Sequence, residues 1–142
     1  MPTKILYQTS ATSTSEGRNG HVAVDDGSFA ADLAMPKELG GAGGDALNPE
    51  KLFALGYSAC FNSALRNVAM REKVKLPEGT SVQVGVGIGP REDEGFGLAV
   101  SIRVALPGLD RAQAQALIEA AHRVCPYSDA TRGSLKITPE LA

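Results

Sequence analysis

The sequence predicts a mixed α+β fold in the order βββα followed by ββαβ. Three observations predict it. Strand-like segments are grouped before each helix, unlike the strict βαβα alternation of a doubly wound sheet. Two stretches, TSVQVGVGIG (80–89) and FGLAVSIRVAL (96–106), alternate large apolar residues with polar or small ones. Two helix-start signals, Asn48-Pro49-Glu50 and Asp110, each precede apolar residues at helical spacing. The 142 residues suit a single domain, 1–142, and contain no internal repeat and no evident linker.

Taken in order, Lys4 to Thr12 reads as a strand and SEGRNG (15–20) as a loop. His21 to Val24 and Phe29 to Ala34 are short strands about the turn signal DDGS (25–28). Pro36 to Asp45 is a glycine-dominated loop. The first helix should start after Asn48, a preferred N-cap, with Pro49 pre-organised for the first helical position and Glu50 complementing the dipole. It should run to about Glu72, before Leu76-Pro77. Its middle, Leu52 to Leu65, is fourteen residues without a charge, so most of its faces require cover from a sheet or from another subunit.

In the next two strands, Val82, Val84, Val86 and Ile88, then Leu98, Val100, Ile102, Val104 and Leu106, form one buried face each, joined through PREDEG (90–95). A second helix starts at Asp110 and carries Leu117, Ile118, Ala121, Val124 and Cys125 on one face. Pro126 ends it, because proline disfavours the helical conformation in the residue before it. Ser134 to Thr138 is the last strand.

Composition narrows the function. A net charge of −2 and the absence of Lys/Arg clusters interleaved with aromatics argue against nucleic acid or an anionic membrane as partner. The longest apolar run is too short to span a bilayer, and MPTKILYQTS lacks the plan of a signal peptide. A cytoplasmic location follows, where thiols are normally reduced. The two cysteines lie 65 positions apart, so they form neither a C-x-x-C motif nor a zinc site. His21 and His122 lack ligand spacing, so no metal is expected. GAGGDA (41–46) fits G-x-G-x-x-A, but the helix opens only later, at Asn48-Pro49, and no acidic residue follows at the right distance. The favoured reading is a loop that needs unusual backbone angles or close approach of another chain.

Cys60 and Cys125 both point toward the core. That suits a nucleophile with a resolving partner, and it suits two inert thiols equally; spacing leaves both open. A reactive Cys60 must ionise, and apolar burial opposes this. Cys60 lies twelve residues beyond Asn48, about 18 Å along the axis at ~1.5 Å per residue, beyond reach of the helix dipole. A cation must therefore come from outside the helix. Arg66 lies on the opposite side, which leaves Arg18 in SEGRNG and Arg132 in DATRG as the best donors.

Three stretches together resemble one family: EGRNG (16–20), PKELGGAGG with NPEKLFALGYSACF (36–61), and VCPYSDATRG (124–133). The chain resembles the organic hydroperoxide resistance (Ohr) proteins, within the OsmC/Ohr group, over essentially its whole length. The resemblance implies an OsmC/Ohr-like fold with two long central helices enclosed by sheets in an intertwined homodimer. It implies that Cys60 attacks the peroxide, Cys125 resolves it, and an Arg18–Glu50 pair activates Cys60. It further implies organic hydroperoxides as substrates, including those of fatty acids, no bound cofactor, and a lipoyl-type dithiol, such as dihydrolipoamide or a lipoylated protein, as reductant. Phe53, Tyr57, Phe61 and Tyr127 are expected as pocket walls because they lie near the thiols in sequence. A different thiol enzyme would need a general base near Cys60, and neither histidine is close in sequence. A binding module for an apolar small molecule, with two inert cysteines, is the other alternative.

Overall fold

Three strands, β1 (Ala11–Thr14), β2 (His21–Val24) and β3 (Ala30–Asp32), form an antiparallel sheet in that order. The computed structural model describes all residues, Met1–Ala142, and divides them into two compact units, Met1–Pro49 and Glu50–Ala142. No helix is long and apolar enough to cross a membrane, and no group of His, Cys, Asp or Glu side chains could hold a metal ion.

In the N-terminal unit the turn DDGS closes the β2–β3 hairpin. Val24 N–H donates to the Phe29 carbonyl at 2.8 Å, and Gly27 takes φ +80°. Asp25 is bound by the hydroxyls of Ser10 and Thr12, at 2.5 and 2.7 Å, and these bonds hold its carboxyl below the usual range. The first strand is shorter than the expected Lys4–Thr12. β2 offers partners only to Ala11–Thr14, and residues 4–10 are exposed and form no ladder. Apolar, aromatic and β-branched residues show that a segment can be extended; they do not supply a neighbour. The glycine loop is ordered by backbone demands. Gly40, Gly43 and Gly44 take positive φ, and Gly41 packs so closely on the Met35 carbonyl that no Cβ fits.

The C-terminal unit is built on α1 (Pro49–Arg71), the β4 (Ser81–Pro90) and β5 (Phe96–Ala105) hairpin, and α2 (Arg111–Val124). β4 and β5 pair antiparallel over ten residues, and Val84, Ile102 and Val104 are buried as the alternation requires. They meet Tyr57, Phe61, Ala64, Leu65, Val68 and Ala69 of α1 and Ala114, Leu117, Ile118 and Ala121 of α2 in one core. Asp110 caps α2, accepting from Gln113 N–H at 3.0 Å.

Two expectations need correction at the C-terminal end. Pro126 does end α2, but it also opens a further helix, α3 (Pro126–Thr131), because its fixed φ suits a first helical position. The last strand is Glu140–Leu141 (β6), parallel to β5, and Ser134–Thr138 is not a strand. The turn after α3 occupies residues 132–134, so the chain reaches the edge of β5 only at Glu140.

Candidate active site

Cys60 sits on α1 beside the buried stripe that includes Tyr57 and Phe61, and it is half-buried. Cys125 sits at the corner between α2 and α3. Its N–H closes α2 on the Ala121 carbonyl at 2.9 Å, and its own carbonyl accepts from Asp129 N–H at 2.9 Å. The proline that follows holds it extended, at φ −66° and ψ 124°. This corner turns the Cys125 side chain fully into the core. The two sulfurs lie 3.7 Å apart and both are free thiols.

Burial pushes the Cys60 thiol above its ordinary range. The backbone N–H of Tyr127, in the first turn of α3, opposes this, and the neighbouring Cys125 adds to the rise. A cavity of about 400 Å3 opens beside Cys60, walled by Ser63, Ala64, Asn67 and Arg71 of α1 and by Val124 and Pro126.

The four aromatic residues expected as walls fall into two places. Phe53, Tyr57 and Tyr127 cluster with ring centroids 5.5–6.2 Å apart. Phe61 is fully buried, 6.3 Å from the His122 ring. The cavity at Cys60 is walled by other residues than these. Arg132 is engaged at the α2–α3 corner, donating to the His122 carbonyl at 2.9 Å and lying 3.4 Å from Asp129. Arg66 is exposed. Arg18 is half-buried in a 3-10 turn, Gly17–Asn19, of the N-terminal unit. Glu50 is in the first turn of α1.

One arrangement had no counterpart in the sequence reading. Ser128 Oγ, fully buried on α3, lies 2.9 Å from the Tyr57 hydroxyl and 2.9 Å from His122 Nδ1. Burial, then the charge of Arg132, hold His122 below the usual imidazole range. The signal that could have found it was Pro126 read as a helix start. That reading brings Ser128 within one turn of Cys125.

The OsmC-like protein family matches residues 41–140. An organic hydroperoxide resistance protein of Xanthomonas axonopodis pv. citri is 50% identical over 99% of this chain and 98% of its own. The chain therefore belongs to the organic hydroperoxide resistance proteins of the OsmC-like family. Solved Ohr structures share its mixed α+β fold. One from Elizabethkingia anophelis superposes with a TM-score of 0.91 at 50% identity, covering 98% of both chains. OhrB of Bacillus subtilis superposes at 0.87 with 40% identity, covering 97% of this chain and all of that one.

Proposed function

We propose that this Ohr protein is a cysteine-based peroxidase that reduces organic hydroperoxides, including those of fatty acids, in oxidative stress defence. The observation that carries the reading is the pair of free thiols 3.7 Å apart, one of them beside a cavity. The Cys60 thiolate attacks the distal peroxide oxygen, the O–O bond breaks, and the alkoxide leaves as the alcohol after taking a proton. Cys125 then attacks the Cys60 sulfenic acid. An S–S bond forms, the S–O bond breaks, and the hydroxyl takes the Cys125 proton and departs as water. A dithiol of lipoyl type restores both thiols by exchange.

Burial alone disfavours the Cys60 anion, so a cation is required. Arg18, oriented by Glu50, is that cation. On one helix Glu50 lies ten residues from Cys60, about 15 Å along the axis at ~1.5 Å per residue. The Glu50 beside a given Cys60 therefore belongs to a second copy in a homodimer, with the long helices antiparallel. Apolar side chains left exposed on one chain support such a partner: Ile5, Leu6 and Tyr7 near the N-terminus, and Leu55 and Met70 on α1. A monomer with full peroxidase activity would sink this part of the reading. The apolar part of the cavity wall beside Cys60, Ala64, Val124 and Pro126, favours alkyl over hydrogen peroxide, since an apolar tail gains about 25 cal/mol per Å2 buried. The cytoplasm is the proposed setting.

The raised Cys60 thiol is the one observation that favours the other reading, an apolar-ligand module with inert cysteines. Stopped-flow mixing of the reduced protein with a fatty-acid hydroperoxide and with hydrogen peroxide separates them. The expected result is rapid thiol loss with the first and much slower loss with the second. Failure to react with either removes the peroxidase reading.

A further inference from the structure

We propose that the Ser128 hydroxyl is a positioning group for disulfide closure, tying α1, α2 and α3 together around Cys125. The inference rests on the peroxidase reading and adds residues to it. Tyr57 lies three residues before Cys60 on α1, His122 three before Cys125 on α2, and Ser128 three after Cys125 on α3. Their polar atoms meet at one point, with both hydrogen bonds at 2.9 Å. Tyr57 and Ser128 are fully buried, so water does not replace a lost partner.

One arrangement uses both hydroxyl hydrogens within the trio. Tyr57 O–H donates to Ser128 Oγ, and Ser128 O–H donates to Nδ1 of a neutral His122 that carries its proton on Nε2. Arg132 reinforces the same corner from outside, through the His122 carbonyl. α3 has only six residues and is held to α2 by few backbone bonds, so a buried side-chain tie matters to where it sits.

Closure asks for accurate placement. The sulfurs stand 3.7 Å apart, and a disulfide needs about 2.05 Å. The Cys125 corner must therefore bring its sulfur in along the line of attack on the Cys60 sulfenic acid. A misplacement of about 1 Å can slow such a step 100-fold. The tie restrains the elements on both sides of Cys125 and the α1 turn that precedes Cys60, so it sets that approach.

The test separates oxidation of Cys60 from closure in single-turnover experiments with an alkyl hydroperoxide. Sulfenic acid is trapped by dimedone, and the disulfide is followed by loss of free thiol and by mass. Ser128→Ala should slow closure at least tenfold while slowing Cys60 oxidation less than threefold, with over-oxidised Cys60 accumulating. His122→Asn places an oxygen acceptor where Nδ1 stood, and closure should stay within threefold of wild type. His122→Phe keeps the ring volume and lacks the acceptor, and closure should fall as in Ser128→Ala. A space-filling role would give the opposite order for Asn and Phe. Closure at the wild-type rate in Ser128→Ala, or Phe outperforming Asn, overturns the proposal. Should Ser128→Ala not fold, the Asn–Phe pair decides. The same closure is driven without peroxide by diazenedicarboxamide, which is reduced to its hydrazine as the two thiols are oxidised. A wild type that closes with this reagent and ignores hydroperoxides overturns the peroxidase reading, and the variants still test the positioning role.

Discussion

Gly56→Ala asks how firmly the aromatic cluster beside the thiols is held. Gly56 lies in the interior of α1, where glycine is about 1 kcal/mol less favourable than alanine. A Cβ there would stand 2.9 Å from the Tyr127 hydroxyl and 3.4 Å from the ring carbons next to it. The hydroxyl must retreat by a few tenths of an ångström. That is a small rotation at the tip of a long side chain, far less than the ~30° departure that costs about 0.5–1.5 kcal/mol. Tyr127 is 39% exposed, so the ring has somewhere to go. Subtracting about 0.5 kcal/mol for the adjustment leaves a net gain of about 0.5 kcal/mol. At roughly 2–4 °C per kcal/mol for a chain of this size, the melting temperature should rise by about 1–2 °C. Because the ring moves and the α3 backbone stays, the rate of Cys60 alkylation should remain within about twofold of wild type. Differential scanning calorimetry and iodoacetamide kinetics read the two quantities. A fall of about 3 °C or more would mean that Tyr127 is locked in place and overpacked, a situation that costs about 1–3 kcal/mol, and would refute the reasoning.

Asp110→Ala removes the side-chain acceptor for Gln113 N–H and should destabilise the protein by about 1 kcal/mol in urea denaturation, with Asp110→Asn recovering most of it. Arg18→Ala should remove the cation proposed to counter the burial of Cys60, so the midpoint of its alkylation rate against pH should rise relative to wild type; an unchanged midpoint removes Arg18 as the activating cation. The sign for stability follows in that variant. A thiol with its folded pKa raised contributes stability that is complete below the unfolded value and is lost as pH rises through the folded one. The alkaline loss of stability of Arg18→Ala should therefore become smaller when Cys60 is also made serine, as read by chemical denaturation at several pH values.

The parts of the fold that were legible in the sequence are those whose local signals agree with their packing. β4 and β5 alternate without interruption, α1 has its start signal and an uncharged middle, and Asp110 caps as expected. The errors fall where the signal is local and the outcome depends on a neighbour. Lys4–Ser10 has the pattern of a strand, but β2 pairs with Ala11–Thr14 only. Ser134–Thr138 has β-branched and apolar residues, yet the partner edge of β5 is met at Glu140. Pro126 was ambiguous because the same ring that stops one helix starts the next; only the extended angles of Cys125 decide that both happen.

The site was legible as residue types and only partly as geometry. That two thiols share one core followed from helical spacing; that they stand 3.7 Å apart follows from the α2–α3 corner, which no periodicity encodes. The same corner sets a conflict that the chemistry must resolve. Cys60 is partly buried and has the Cys125 sulfur, the proposed resolving thiol, beside it, and both raise its pKa. The Tyr127 N–H that α3 aims at Cys60 works the other way, but the net direction is up. In the proposed peroxidase, proximity of Cys125 and easy ionisation of Cys60 thus oppose each other within a single chain. A thiol pair placed for closure needs its activating charge from elsewhere, and a guanidinium suits this because it stays protonated when partly desolvated and can bind a carboxylate and a sulfur anion together. That requirement makes the origin of the cation, more than the identity of the thiols, the point on which the peroxidase reading turns.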